Sequence, residues 1–398
     1  MKIKIHRGQN QIGGSIIEIA SEHARVIFDV GLEIGNDIQE IPQIEGLFNG
    51  EPLFNAVFIS HYHADHLGLA KHLLPGINLY MGEKCYQINR FSNEYLGKNT
   101  FVSPQVFSHG ELIRIGDLTI TPLLCDHSAY DSYMFVIESN GKKVLYTGDF
   151  RSNGRKSFSS FLEKLPEVDV VITEGTTLDR NDADNLTEAE LEKIAVEAIG
   201  EHSPVFFLQA ATNIDRIVTA YKASRKADLL FLEDLYMAGI TSIIGGSIPN
   251  PNTFKSVRVF MTGNKEERYN LLLDYGKKRI GRSEIAKNRF AMCIRPSMKE
   301  YLEKLSEEVS FDKSILFYSM WSGYKDNDDA AAFLEFMRSK GVKIHSLHTS
   351  GHADAATITK LISRAKPKWI IPVHTENAEW FTKFKDSKIL LNSDALGI

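Results

Sequence analysis

His61-Tyr62-His63-Ala64-Asp65-His66 places four potential metal ligands within six residues, directly after the apolar run Ala56–Ser60. Side-chain direction alternates along an extended segment, so residues 61 and 63 can point the same way. Asp65 and His66 are expected on the turn into a helix that starts at Leu67. Imidazole and carboxylate suit zinc and similar divalent ions. This arrangement can offer two ligands to one ion and two to a neighbour. The plain alternative is a polar strand-end turn, and the density of ligand types argues against it.

Two ions need more ligands, and these should also follow strands. His127 follows the strand candidate Leu118–Leu123 in Asp126-His127-Ser128. Asp149 follows Lys143–Thr147 in Thr147-Gly148-Asp149-Phe150. His374 follows Trp369–Pro372 in Ile371-Pro372-Val373-His374. Each alone reads as a structural residue. Their shared placement after apolar strands, together with the 61–66 run, favours a common site.

The flanking sequence predicts stacked sheets with outer helices. Strand candidates are Arg25–Asp29, Ala56–Ser60, Leu118–Leu123, Met134–Ile137 and Lys143–Thr147, and residues 1–7 also alternate like a strand. Near Leu186 the texture changes to strand-helix alternation. Strands are expected at Val205–Leu208, Leu229–Leu232, Val257–Phe260, Phe290–Ile294 and Ile315–Tyr318. Helices are expected at Thr187–Gly200, Asn213–Lys226, Ser297–Glu307 and Asp328–Lys340. That pattern implies a parallel sheet in a separate α/β domain. Residues 1–177 and 342–398 would then form one domain interrupted by an insertion, 178–341. The last part carries a strand at Lys343–Leu347, a helix at Ala355–Ala365, the strand Trp369–Pro372 and a short final helix.

Composition is that of an ordinary globular chain: 398 residues, 43% hydrophobic, 24% charged, formal net charge −5. The three cysteines, Cys85, Cys125 and Cys293, are scattered, which excludes a zinc ribbon or disulfide framework and fits a reducing cytoplasm. Residues 237–254 are uncharged, but Gly245, Gly246, Pro249 and Pro251 make them a loop rather than a membrane span. The negative balance hides a basic stretch. Residues 255–295 hold eleven Lys/Arg against four Asp/Glu, a local +7 (11 − 4). This is either a phosphate-contacting patch or a solvated helix face. Thr212-Asn213-Ile214-Asp215 reads as a helix N-cap with an acid at N3. Tyr318 reads as core, while Trp321 and Tyr324 are candidates for base stacking.

The order HxHxDH, then His127, Asp149 and His374, resembles the metallo-β-lactamase superfamily. The resemblance implies a four-layer αββα sandwich. It also implies two divalent ions, zinc or manganese: His61, His63 and His127 on one, Asp65, His66 and His374 on the other, Asp149 between them. The 225 residues from Asp149 to His374 (374 − 149) demand an inserted domain. Glu174 in Ile172-Thr173-Glu174-Gly175-Thr176 and His352 in Thr349-Ser350-Gly351-His352-Ala353 match the motifs of the β-CASP branch, whose members include ribonuclease J and the nuclease that cuts messenger RNA before polyadenylation.

Membership of that branch implies a dinuclear metal-dependent ribonuclease that hydrolyses RNA with a metal-activated water and leaves a 5′-phosphate. Asp65 would orient the water, His352 would protonate the leaving oxygen, and Glu174 would hold the His352 ring. The third-motif histidine, His374, separates this chain from the DNA-repair branch, so RNA is favoured over DNA. There are departures. Thr375-Glu376 follows His374 where Gly-Glu is usual, and the loop Ser319–Tyr324 lacks the Pro-Gly of ribonuclease J. The sequence ends 24 residues after His374 (398 − 374), without the further C-terminal domain of ribonuclease J. Endonuclease and 5′-exonuclease action both stay open, as does a homo-oligomer. The competing functions are a small-molecule hydrolase of a thioester, lactone or phosphodiester, a DNA nuclease, and a non-catalytic RNA-binding protein. The intact ligand set counts against the last.

Overall fold

The computed structural model describes residues 1–35, 40–179, 185–263, 265–391 and 395–398. The chain forms two compact units. The first comprises Met1–Ser152, Lys156–Ala183 and Gly351–Ile398; the second comprises Asn153–Arg155 and Asp184–Ser350.

The first unit begins with strands β1 (Lys2–Arg7), β2 (Ile16–Ala20), β3 (Arg25–Phe28), β4 (Ala56–Phe58), β5 (Asn78–Gly82) and β6 (Gln105–Phe107). It continues with β7 (Ile113–Ile115), β8 (Leu118–Cys125), β9 (Ser132–Ser139), β10 (Lys142–Tyr146) and β11 (Val170–Thr173). The second unit contributes β12 (Val205–Leu208), β13 (Leu230–Asp234), β14 (Val257–Phe260), β15 (Phe290–Ile294), β16 (Ile315–Tyr318) and β17 (Lys343–Ser346). The chain then returns to the first unit with β18 (Trp369–Pro372), β19 (Lys388–Ile389) and β20 (Leu396–Gly397).

Two seven-stranded sheets build the first unit, in the orders β20-β1-β2-β3-β4-β5-β6 and β19-β18-β11-β10-β9-β8-β7. Their inner faces form one core. Phe28 of β3 meets Phe135 of β9 at 5.2 Å and Tyr146 of β10 at 5.8 Å between ring centroids, and Ile17, Val26, Ile137 and Ile172 pack around them. Outer helices complete four layers. Helices α1 (Ala64–Leu67), α2 (Glu83–Leu96) and α3 (Phe158–Lys164) come in chain order, and α2 lies against β5. The last helix of this unit (Ala355–Ala365) buries Ile358, Leu361 and Ile362 against Val136, Leu145 and Val171 on the outer face of the second sheet. The predicted αββα arrangement is therefore the observed one. Helix α2 was not expected. Its buried residues are only Cys85 and Ile88, so its apolar stripe is thin.

The second unit is a six-stranded sheet in the order β14-β13-β15-β12-β16-β17, parallel throughout. Its helices are α4 (Glu188–Ile199), α5 (Ile214–Lys226), α6 (Leu235–Ile244), α7 (Glu266–Leu273), α8 (Arg282–Ile285), α9 (Lys299–Ser306) and α10 (Asp328–Ser339), leaving α11 as the Ala355–Ala365 helix. Strands buried on both faces read as continuous apolar runs, and β12, β14, β15 and β16 fall where those runs predict. Two expectations need correction. The uncharged stretch 237–254 is not all loop, because α6 occupies its start. Asp234 caps α6 by accepting from the Tyr236 and Met237 N–H groups, and the helix buries Met237, Ala238 and Ile240. Only after Gly245 does the chain turn. The cap of α5 is Asn213, whose side chain accepts from Arg216 N–H, so Asp215 is one place nearer the start than expected. Its carboxylate accepts from Arg155 N–H at 3.0 Å. Among the described residues no helix is long and apolar enough to cross a membrane.

Candidate metal centre

The strand β4 ends at Phe58, two residues earlier than expected, and Ile59-Ser60 carries the chain into His61. Helix α1 starts at Ala64, so Asp65 and His66 lie inside one helical turn rather than before it. So short a helix cannot stand on its own hydrogen bonds. Its carbonyls are taken up by the neighbouring segment: Leu32 N–H donates to Ala64 O at 2.9 Å, Ser15 N–H to Asp65 O at 3.2 Å and Val30 N–H to His66 O at 2.7 Å. A Cβ on Gly31 would lie 1.6 Å from the Asp65 carbonyl oxygen, so glycine is required for this close approach.

All the candidate ligands belong to the first unit, and the fold gathers them from strand ends of both sheets. His61, His63 and His127 form one group of converging ligand atoms; Asp65, His66, Asp149 and His374 form a second; Asp149, Glu174, His352 and His374 form a third. His63 Nδ1 is 3.2 Å from His127 Nε2. Asp149 Oδ2 is 3.2 Å from His66 Nε2, 3.7 Å from His374 Nε2 and 3.9 Å from His61 Nε2. His374 Nε2 is 3.1 Å from Asp65 Oδ2. Asp149 thus borders the histidines of both of the first two groups.

Four rings are held by the nitrogen that faces away from the centre. His66 Nδ1–H donates to Asp29 Oδ2 at 2.7 Å, and His127 Nδ1–H to Gly351 O at 2.5 Å. His61 Nδ1–H donates at 3.0 Å to Ser60 Oγ, whose own proton goes to Asp29. His374 Nδ1–H donates at 2.9 Å to Thr176 Oγ1, whose proton goes to Glu174. Each acceptor fixes the tautomer and turns the Nε2 lone pair inward, as outer partners do for metal-bound histidines. Asp29 and His374 adopt left-handed backbone, φ 59° and 51°, a conformation uncommon for residues other than glycine and concentrated at functional sites.

Burial and the neighbouring carboxylates act on these rings in opposite directions. Burial pushes the imidazoles of His61, His63 and His127 below their usual range, His63 to about 4. Burial also opposes the charge of His66, but Asp149, Asp29 and Asp65 outweigh it and raise that ring. Asp65 and Asp149 are held below the usual carboxylate range despite burial, Asp65 chiefly by His66 and His374, Asp149 chiefly by His374 and His66. Three neutral imidazoles and two carboxylates are what a divalent cation needs of its ligands. Four inward atoms fit a cation directly: His61 Nε2, His66 Nε2 and both Asp149 carboxylate oxygens are buried with no hydrogen-bond partner. Buried polar atoms rarely stay unpartnered, and here they converge on one space.

Glu174 and His352 border this centre. Glu174 is fully buried; its Oε1 accepts from Phe150 N–H at 2.9 Å, and its Oε2 lies 3.1 Å from His352 Nδ1. His352 Nδ1 is also 3.5 Å from Asp149. Burial lowers the His352 ring, but Glu174 and then Asp149 outweigh it and lift it to about 9. The ring is therefore charged near neutral pH, and its proton on Nδ1 is engaged by Glu174.

Every site residue expected from the sequence is brought to this centre. Sequence reading missed the outer partners: Asp29, Ser60, Thr176 and the Gly351 carbonyl. Asp29 carried the same signal as the candidates, a polar residue ending an apolar strand, but was absorbed into the strand expectation. In the second unit, Tyr318 is buried, whereas Trp321 and Tyr324 are 43% and 52% exposed.

Comparison with known proteins agrees with the geometry. A family model described as a beta-lactamase superfamily domain matches residues 25–205, and one described as a Zn-dependent metallo-hydrolase RNA specificity domain matches residues 339–383. The chain is 24% identical to ribonuclease J 1 of Streptococcus pyogenes over 93% of its own length and 67% of that protein's. It is 23% identical to ribonuclease J of Mycoplasma genitalium, over 94% and 68%. An RNase J-like protein of Methanocaldococcus jannaschii is 25% identical over 56% of each chain. The chain thus spans between 56% and 68% of the length of these three relatives. A crystal structure of a protein of unknown function from Enterococcus faecalis V583 shares the fold, with a TM-score of 0.81 at 19% identity, covering 100% of this chain and 99% of that one.

Proposed function

The chain belongs to the metallo-β-lactamase superfamily, in the branch with a β-CASP insertion, and on that premise we propose that it is a dinuclear metal-dependent ribonuclease. The observation that carries this reading is His352, its Nδ1 3.1 Å from the buried Glu174 carboxylate, at the edge of a doubled ligand cluster. His61, His63 and His127 would hold one ion, Asp65, His66 and His374 the other, and Asp149 would bridge them; zinc suits this nitrogen-rich set, with manganese the alternative. Paired ions supply a nucleophile from water at neutral pH and neutralise charge on the phosphoryl group.

The protein's own groups do the rest. Asp65, held as a carboxylate beside His66 and His374, orients the attacking water and accepts its hydrogen bond. As the bond from phosphorus to the 3′-oxygen breaks, that oxygen needs a proton. His352 delivers it, with Glu174 fixing the ring through Nδ1 and keeping it charged. Attack at phosphorus with loss of the 3′-oxygen leaves the phosphate on the 5′ end of the downstream product. The second unit is the inserted β-CASP domain, interrupting a metallo-β-lactamase domain built from both ends of the chain. Lys265, Lys277, Lys287 and Arg289 are exposed there without an ion-pair partner among the described residues and supply phosphate contacts, as do the exposed rings of Trp321 and Tyr324 for bases. Three buried free thiols fit a reducing cytoplasm.

The test is cleavage of labelled RNA, labelled DNA and a panel of small esters, each with zinc, manganese or magnesium and again with chelator. Chelator-sensitive RNA cleavage leaving a 5′-phosphate is expected. Turnover of a small ester with no RNA cleavage under any metal would refute the ribonuclease.

A further inference from the structure

Between the motif run and the C-terminal part of α2 lies a cavity of about 570 Å³, within the range of sites that take small organic ligands. One wall is Tyr62, Ala64 and Leu67, from the same segment as four of the candidate ligands. The facing wall is Asn89, Asn93 and Phe101. Tyr62 lines the cavity and also touches the cluster. Tyr62 packs edge-on against His63 with centroids 5.7 Å apart, and its hydroxyl accepts from Tyr130 N–H at 2.8 Å.

Three kinds of chemistry meet in this cavity. Tyr62, Leu67 and Phe101 provide apolar and aromatic surface. Asn93 donates to Asn89 Oδ1 at 2.9 Å, which leaves one amide oxygen and one amide NH₂ between them, a donor beside an acceptor. Lys71 and Lys98 stand exposed at the rim, with no ion-pair partner among the described residues. Lys98 is set in place where α2 ends: Gly97 turns the chain with φ 67°, and Lys98 N–H donates to Asn93 O at 2.8 Å. A flat apolar surface, a donor-acceptor edge and two ammonium groups match the parts of a nucleotide: base face, base edge and phosphate. A simple lactone would use neither the amide pair nor both cations.

We propose that this cavity is a subsite for one nucleotide of the RNA strand beyond the scissile phosphate, with the base against Phe101, its edge on Asn89 and Asn93, and backbone phosphate on Lys71 and Lys98. The proposal rests on the ribonuclease reading and adds to it a place where base identity is sensed.

The experiment is fluorescence anisotropy of a short labelled RNA with hydrolysis-resistant linkages, titrated with the full zinc-loaded chain across a salt series. Each phosphate contact on a single strand contributes about 0.7 to the slope of log affinity against log salt. The Lys71→Ala/Lys98→Ala variant should therefore lose about 1.4 of that slope. Phe101→Ala should bind roughly 5- to 150-fold more weakly, the loss of one stacked base, with the slope unchanged. Phe101→Leu, which keeps apolar bulk, should show the same loss of affinity and guards against misfolding, with zinc content measured in each variant. If the parent binds RNA and the variants match it in slope and affinity, the subsite is wrong while the ribonuclease stands. If the parent binds no RNA at any salt, the ribonuclease reading fails and the subsite falls with it.

Discussion

Replacing Asp29 by Asn perturbs the metal centre while leaving every candidate ligand in place. Asp29 is fully buried. Its Oδ1 accepts from Ser60 N–H at 2.7 Å. Its Oδ2 accepts from Ser60 Oγ at 2.8 Å, His66 Nδ1 at 2.7 Å and Tyr146 OH at 2.6 Å. Four donors converge on a group that accepts at both oxygens only when ionised. Asn has the same shape and tolerates the left-handed backbone, so neither packing nor φ opposes it. With its oxygen toward the three donors, its NH₂ faces the Ser60 N–H, and that buried donor loses its partner at a cost of about 1–3 kcal/mol. The opposite orientation would strand three donors and is excluded. The bond to His66 survives but loses its charge, and with it the pull that makes Nε2 a stronger ligand. Such outer-partner losses typically weaken metal binding about 10–100-fold. Zinc affinity, measured by competition with a chromogenic chelator, should fall by that factor, and denaturant unfolding should show the stability loss. A folded Asp29→Asn protein with unchanged zinc affinity would refute the argument that this carboxylate tunes the centre.

Three further outcomes are expected. His352→Ala should keep its metal and lose about 10²–10⁴-fold in RNA cleavage, but much less on a nitrophenyl phosphodiester, whose leaving group needs no proton; equal losses on both would point to phosphate binding instead. Glu233, which burial pushes up to about 8 against the hydrogen bond from Thr241, holds its proton in the folded protein after the unfolded chain has released it. That stability is fully present below about 4.5 and is lost as pH rises through about 8, at no more than about 1.4 kcal/mol per pH unit for one proton. Glu233→Gln should remove this part of the pH dependence in denaturant unfolding, and an unaltered profile would show that Glu233 titrates alike in the folded and unfolded chain. Arg216→Met should cost about 3–5 kcal/mol, because Arg216 and Glu188 are both fully buried and joined at 3.1 and 3.2 Å; adding Glu188→Leu should recover much of the loss, and equal stability of the single and double variants would contradict the pairing.

Much of the fold was legible because its strands are short, apolar and ended by polar residues. The parallel strands of the second unit are the clearest case: Val205–Leu208 and Phe290–Ile294 are buried at every position. The candidate ligands were legible for the same reason, since a histidine or aspartate just past an apolar run stands out. Helix α6 was not, because glycines and prolines farther along 237–254 masked a helix that its Asp234 cap starts and strand β13 covers. The start of α1 was misplaced because tertiary backbone donors, Leu32, Ser15 and Val30, hold that turn, and no local pattern announces them. The outer partners escaped for a related reason. Thr176 reaches His374 across 198 residues and Gly351 reaches His127 across 224, and only the folded sheets bring them together.

The order in which the ligands occur along the chain has a consequence for synthesis. Six of the seven candidates, His61 through Asp149, precede the second unit, and His374 follows it on the end of β18, which pairs in parallel with β11. A ribosome adding roughly 5–20 residues per second needs roughly 11–45 s to cover the 225 residues from Asp149 to His374 (374 − 149). During that time the nascent polypeptide lacks His374 and the Thr176 hydrogen bond that orients it, and for most of it also His352, the proposed proton donor. Under the function proposed here, the messenger being translated lies beside its own product for the whole of that interval, and the product cannot cut it until the codon for His374 has been read.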